Sequence, residues 1–72
     1  MTQFRIVVAP PSPTGGRRVR VDGEILGLAH SLRDLVEFLR RVGLEMEAAE
    51  VVESPLIDWH GVGPDQWGPA PS

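Results

Sequence analysis

The chain has 72 residues, a formal net charge of −3 and no cysteine. This length allows one domain with a small core, and the lack of cysteine excludes disulfides, thiol catalysis and cysteine-based zinc sites. The mildly acidic balance disfavours a general polyanion-binding protein but leaves room for a local basic patch.

The first predicted element is a strand over residues 2–8, because Phe4, Ile6 and Val8 alternate with other positions in the period of a strand. The next segment, residues 9–16, contains three prolines and two glycines. Proline removes hydrogen-bond donors and fixes φ, so this segment is predicted to be a loop.

The end of this strand and the loop also carry a local resemblance. Residues 8–15 read Val-Ala-Pro-Pro-Ser-Pro-Thr-Gly, which resembles the strand-to-loop segment Ala-Pro-Ser-Pro-Thr-Gly of glutamyl-tRNA synthetases. In that family the loop leads into a His-Ile-Gly-His-type ATP motif, and this sequence continues without one. The match covers a short loop with an extra proline, so we assign no family from it.

Residues 17–28 are predicted to form a β-hairpin around an Asp-Gly turn. One register has a two-residue type I′ turn that pairs Val21 with Glu24. The other has a three-residue loop with Gly23 as a G1 bulge. It pairs Arg20 with Glu24 and Val19 with Ile25. We favour the second register, because it places opposite charges together on the exposed face and β-branched residues together on the buried face. Gly27 is predicted to mark a bulge or a close backbone approach.

Residues 29–44 carry a complete set of helix signals. Ser31 is the predicted N-cap, and Asp34 stands three residues later in the pattern of a capping box. Gly43 is predicted to end the helix in a left-handed conformation. The apolar side chains fall on one face, as expected for packing on a sheet. These are Leu32, Leu35, Val36, Leu39 and Val42, with Phe38 at the edge.

The region after this helix gives weaker signals. Residues 45–53 fit a turn of helix or irregular structure leading into a strand, and the pattern does not decide between helix and strand. Residues 56–60 are predicted as a short edge strand, with Ile57 and Trp59 on one face. Residues 61–72 are rich in glycine and proline and are predicted to form a partly disordered tail. Within it Trp67 either folds back onto the edge of the sheet or helix, which we favour, or is an exposed anchor.

The order β-β-β-α-β predicts a single α+β domain over residues 1–60. We expect a three- to four-stranded, mostly antiparallel sheet with one amphipathic helix packed on one face. This order resembles a reduced β-grasp fold, as in ubiquitin-like proteins. The resemblance is one of topology, and topology alone does not imply a function.

The side-chain inventory favours a non-catalytic role. The sequence contains no Cys, Lys or Tyr, so it lacks most common nucleophiles and the lysine of a P-loop. The best candidate for metal or acid–base chemistry is the group of Asp58, His60 and Asp65. One histidine with two carboxylates is a poor ligand set. We therefore expect no enzyme activity, no metal site and no cofactor.

We expect a small protein-interaction module that docks a partner protein, or forms a homodimer, through a sheet edge. An apolar rim of aromatic side chains is expected to contribute, because tryptophan is frequent in binding hot spots. The residues of this rim are Phe38, Trp59 and Trp67.

The alternative is a nucleic-acid-binding domain that uses an arginine-rich face of the hairpin. The arginines of this face are Arg5, Arg17, Arg18 and Arg20. All seven basic residues of the chain are arginine, which indicates a bacterial source with GC-rich codons. The N-terminus lacks the pattern of a signal peptide, and no apolar run reaches about 20 residues. We therefore expect a cytoplasmic protein without membrane association.

Overall fold

The computed structural model describes residues 5–68. It confirms the predicted α+β class, with a four-stranded sheet in the order β3-β2-β1-β4 and two helices. In chain order the elements are β1 (Ile6–Val8), β2 (Arg17–Val21), β3 (Glu24–Ala29), α1 (Leu32–Arg41), α2 (Ala48–Glu53) and β4 (Ile57–Trp59). The predictions for residues 2–4 and for the last four residues of the tail lie outside the described residues.

The pairing of the strands brings distant parts of the chain to one end of the sheet. β2 pairs antiparallel with both β1 and β3, whereas β1 and β4 pair in parallel. The parallel strands β1 and β4 therefore end on the same side, and the antiparallel strand β2 begins there. As a result Ala9, Arg17 and His60 lie close together, although they are far apart in sequence.

The helices cover one face of the sheet because alternate strand residues point toward them. The inward residues of the strands and the inward residues of both helices form one buried core. Each fully buried Val, Leu or Ile stabilises the fold by about 1.5–3 kcal/mol before the cost of ordering is subtracted. The core consists of Ile6, Val8, Val19, Val21, Ala29, Leu35, Leu39, Val51 and Ile57.

The favoured register of the hairpin is wrong at its turn. Val21 pairs with Glu24, so the connection has only two residues. Asp22 and Gly23 both have positive φ, 53° and 86°, as a type I′ turn requires. The Asp22 carboxylate also accepts a hydrogen bond of 2.9 Å from the backbone N–H of Arg5. Asp22 thus tolerates the left-handed conformation that makes the shorter turn possible.

β3 has one residue more than β2 in the paired region. This unpaired residue lies between Ile25 and Gly27, not at the turn. The register shifts between the pairs Arg20–Ile25 and Val19–Gly27. Arg20 therefore lies opposite Ile25 and not opposite Glu24. Val19 lies opposite Gly27 and not opposite Ile25, so the prediction that Ile25 lies on the buried face is wrong. The prediction of a bulge at Gly27 is confirmed, with φ at 146°.

The central helix α1 has the predicted start and stop. The Ser31 hydroxyl accepts a hydrogen bond of 3.2 Å from the backbone N–H of Asp34. The Asp34 carboxylate in turn accepts a hydrogen bond of 2.9 Å from the backbone N–H of His30. Gly43 has φ of 91° just after the helix, so it ends the helix as predicted.

The residues that the sequence left undecided contain a second, short helix. Helix α2 begins after Glu47, whose backbone N–H donates to the Glu50 carboxylate at 3.2 Å, and it contributes Val51 to the core. The prediction of a single helix was therefore incomplete. The predicted last strand is present at the sheet edge, with Ile57 buried and Asp58 exposed. Among the residues described, no helix has the length and apolar character needed to cross a bilayer.

Candidate interaction surface

Arg17 is buried at the end of the sheet where β1 and β4 stop and β2 begins. Its exposed fraction is 0%, and it is the only charged side chain among residues 5–68 that is buried. Its Nε donates to the carbonyl oxygen of Ala9 at 2.8 Å. The two terminal nitrogens donate to four carbonyl oxygens that follow β4. These belong to His60 (2.9 Å), Val62 (2.9 Å), Gly63 (2.6 Å) and Gln66 (3.1 Å).

Two tryptophans enclose the same guanidinium. The Cζ atom of Arg17 lies 5.4 Å from the ring centroid of Trp59 and 5.6 Å from that of Trp67. The two rings meet edge to face, with their centroids 5.9 Å apart. Trp67 is held by a hydrogen bond of 2.8 Å from its Nε1 to the Pro64 carbonyl. Its own carbonyl accepts a hydrogen bond of 2.8 Å from Gly16.

We call this arrangement the arginine cage, meaning Arg17, its five acceptor carbonyls, Trp59 and Trp67. No carboxylate of the described residues forms an ion pair with Arg17. The positive charge is instead balanced by carbonyl dipoles and by the negative faces of the indole rings. Burial lowers the pKa of Arg17. Guanidinium nevertheless stays protonated at neutral pH, so the cage holds a cation.

The cage changes the interpretation of three predicted site residues. Arg17 lies on the buried side of the sheet, so its assignment to an exposed nucleic-acid face is wrong. The sequence contained the signal for this, because Arg17 has the same strand parity as the inward residues Val19 and Val21. Trp59 and Trp67 are half-buried, and both rings face Arg17. Residues 61–68 fold back onto the sheet, as the position of Trp67 requires.

The other predicted arginines lie on the outer side of the sheet. Arg18 and Arg20 alternate with the buried residues of β2 and are exposed. Arg5 is also exposed, and its guanidinium forms an ion pair of 3.7 Å with Asp58 on β4. This pair is open to solvent and so contributes at most about 1 kcal/mol.

Two apolar side chains that the sequence analysis did not select lie beside these arginines. Ile25 is 52% exposed and Leu28 is 43% exposed, and both point to the outer side of β3. Arg20 pairs with Ile25, and Arg18 pairs with Leu28. We call these four residues the open face. The bulge at Gly27 explains why Ile25 and Leu28 share a face at a spacing of three, which simple alternation would not predict.

The open face continues to the free edge of β3. β3 is the outermost strand on one side of the sheet and, with six residues, the longest strand described. After Glu24 it contains no charge and no proline, two features that commonly protect an edge strand from pairing. A third such feature, a β-bulge, is present before Gly27. The opposite edge, β4, has only three residues and carries a charged residue at its centre, Asp58. β3 is therefore the better template for an added strand.

Phe38, the remaining predicted rim residue, lies on the inner side of this same strand. A Cβ atom placed on Gly27 would lie 3.3 Å from the Cζ atom of Phe38, so the ring packs directly on the β3 backbone. The Arg41 guanidinium lies 5.6 Å from the centroid of the Phe38 ring. Phe38 is half-buried and borders the free edge. Accessible apolar side chains thus lie on both sides of β3, with Ile25 and Leu28 on the outer side and Phe38 of α1 on the inner side.

A depression lies between α1 and α2 and has a volume of about 320 Å³. Its lining is mixed, with three acidic residues, one basic residue and two apolar residues: Val36, Arg40, Glu45, Met46, Glu47 and Glu50. It is open to solvent. Residues 5–68 contain no group of three or more His, Asp or Glu side chains that is placed to hold a metal ion.

Comparison with known proteins adds no relative. No family model matches the chain, and no curated protein and no solved structure matches it. The likeness to β-grasp proteins therefore stays a prediction from the order of elements.

Proposed function

We propose that this chain is a small, non-catalytic protein-interaction module that binds through the free edge of β3 and the open face. The observation that carries the proposal is the exposure of Ile25 and Leu28 side by side on an edge strand that contains no charge and no proline after Glu24. An extended segment that pairs with β3 would satisfy its free backbone groups and cover both side chains. Specificity would come from these apolar contacts and from the two flanking arginines.

The aromatic residues have different roles in this proposal from those expected at first. The faces of Trp59 and Trp67 contact Arg17, and we assign both residues to holding residues 60–68 against the sheet. Phe38 remains a candidate contact because it borders β3. The lack of Cys, Lys and Tyr supports a non-catalytic role. The cysteine-free composition is also compatible with the proposed cytoplasmic location.

Selection from a library of short random peptides tests the proposal. Peptides that bind the wild-type protein are selected from the library. Their binding to two variants, Ile25→Lys and Val52→Lys, is then measured. Val52 lies on α2 and is 41% exposed, so the second variant adds the same charge at a similarly exposed apolar site away from β3. We expect the selected peptides to bind the wild type and Val52→Lys but not Ile25→Lys.

Two results would contradict this proposal. One is that the selected peptides bind Ile25→Lys as tightly as the wild type, because binding would then lie elsewhere. The other is that the selection yields no peptide and the protein also remains monomeric. Either result removes β3 as an interaction site.

A second candidate is nucleic-acid binding through Arg5, Arg18 and Arg20. It is supported by the exposure of all three on the outer side of the sheet. Against it, Arg5 forms an ion pair with Asp58, and both tryptophans contact Arg17 from the other side. Fluorescence anisotropy with a labelled single-stranded oligonucleotide at two salt concentrations separates the two functions, because phosphate binding weakens steeply with salt. Binding that is lost in Arg18→Ala/Arg20→Ala but kept in Arg33→Ala/Arg40→Ala would favour this second candidate.

A further inference from the structure

We propose that the partner of β3 is a second copy of this chain. In this dimer the two β3 strands pair antiparallel about a two-fold axis that passes between Leu26 and Gly27, and the two sheets become one. The inference rests on the proposed function, because it names the occupant of the same edge. The inference follows from the self-complementarity of this edge. The edge has two layers, the outer face of the sheet and the flank of α1 on the inner face, and each layer is complementary to its own copy.

The outer layer is self-complementary in this register. The axis places Ile25 opposite Leu28 of the second copy and Leu28 opposite Ile25 of the second copy. The four exposed apolar side chains then form one continuous patch. Arg18 and Arg20 lie one strand further out, so the arginines of the two copies are separated by two β3 strands. Their aliphatic stems can extend over the border of the patch while their charges remain in water.

The inner layer is self-complementary through the flank of α1 that lies along β3. Phe38 marks this flank, because its ring packs on Gly27, next to the proposed axis. Asp34 and Arg41 lie on the same flank, at helical spacings of four and three from Phe38. The flank is therefore acidic at its start, apolar in its middle and basic at its end.

A two-fold axis at this place makes the two copies of α1 antiparallel. Asp34 of each copy then lies near Arg41 of the other, and the two Phe38 rings meet near the axis. The opposite orientation, with parallel β3 strands, would place the acidic hairpin tips of Asp22 and Glu24 side by side. Repulsion between like charges thus selects the antiparallel orientation.

Engineered cysteines test the register, since the natural chain has none. Residues directly opposite each other in an antiparallel pair have Cα atoms about 4.5–5.5 Å apart, which suits a disulfide. We expect Ile25→Cys/Leu28→Cys to form a covalent dimer under mild oxidation. The matched control Arg18→Cys/Arg20→Cys has two cysteines one strand away from the axis and should remain monomeric. The single variant Ile25→Cys should also stay monomeric, and its oxidation to a dimer would overturn this register.

Charge reversal on the helix flank tests the inner layer by sedimentation equilibrium. Arg41→Glu would face Asp34 of the second copy, and we expect the dissociation constant of the dimer to rise about tenfold or more. Arg33→Glu is the control, because it makes the same change of charge at an exposed position of α1 that forms no ion pair among the described residues and lies about 140° around the helix from Phe38. We expect it to change the dissociation constant less than about twofold.

The two proposals can fail separately. A wild-type chain that stays monomeric at every concentration tested overturns the second copy as partner. If peptides selected on the wild type still depend on Ile25, the edge nevertheless binds other chains and the proposed function stands. Equal weakening of the dimer by Arg41→Glu and Arg33→Glu would also overturn the arrangement of the two helices.

Discussion

The guanidinium of Arg17 lies 5.4 Å from the ring centroid of Trp59, although their strands β2 and β4 are not neighbours in the sheet. This contact crosses the end of β1, and the carbonyl of Ala9 there accepts a hydrogen bond from the same guanidinium. One side chain thus connects three strands and the segment after β4. In a domain with so small a core, such a connection replaces apolar contacts that the chain is too short to provide.

The first prediction concerns the shape of the guanidinium. Arg17→Lys keeps the positive charge but has three donors on one atom, so it cannot reach the five carbonyls that a planar fork reaches. We expect the free energy of unfolding to fall by about 2–3 kcal/mol, because several partly buried carbonyls lose their partner. Urea denaturation measures this change. Arg18→Lys, on the exposed side of the same strand, should change stability by less than about 0.5 kcal/mol.

The second prediction concerns pH. Burial lowers the pKa of Arg17 in the folded chain. The titration of Arg17 therefore makes the free energy of unfolding rise with pH, but only in the strongly alkaline range. No carboxylate of the described residues pairs with it. The difference in the free energy of unfolding between the wild type and Arg17→Met, whose side chain does not titrate, should therefore be constant between about pH 4 and 9. A difference that shrinks as the pH falls through the range of carboxylate titration would show that an acidic partner holds Arg17.

The third prediction concerns Trp67. Trp67→Phe keeps an aromatic ring but loses the hydrogen bond from Nε1 to the Pro64 carbonyl. We expect a loss of about 1–2 kcal/mol, from this bond and from the weaker cation–π contact of phenylalanine. The emission of the remaining Trp59 should stay blue-shifted in Trp67→Phe and shift to the red in Trp67→Ala. Equal emission in all three proteins would contradict the arginine cage.

The fourth prediction concerns the hairpin turn. Asp22→Ala places a residue with a Cβ and no polar side chain at φ of 53°, and it removes the acceptor of the Arg5 N–H. We expect a loss of about 1–2 kcal/mol. Asp22→Asn keeps an oxygen acceptor and tolerates this conformation, so its loss should stay below about 0.5 kcal/mol. Comparable losses in both variants would argue against the type I′ turn.

Local sequence signals were enough to place those elements that are held by contacts between residues close in sequence. Helix α1 is correctly placed because Ser31, Asp34 and Gly43 act through bonds and backbone angles within one or two turns. The sequence predicted the position of the hairpin correctly but not the register in which its strands pair. That register depends on where the extra residue of β3 is placed, and both positions satisfy the local pattern.

The candidate surface was harder to predict because it depends on contacts between distant residues. The alternation in β2 could have shown that Arg17 points inward, yet a buried arginine is rare unless it has partners. Its partners follow β4 and join it only through the parallel pairing of β1 with β4. Likewise, the bulge at Gly27 decides that Ile25 and Leu28 share the outer side. No periodicity in the sequence reveals that pair.

The most direct test of the account is amide hydrogen exchange measured at low and at high protein concentration. We expect amides of β3 to become more protected as the concentration rises, while those of β4, on the other free edge of the sheet, stay unchanged. Protection that appears at β4 instead, or that does not depend on concentration at either edge, would contradict the pairing of two copies through β3.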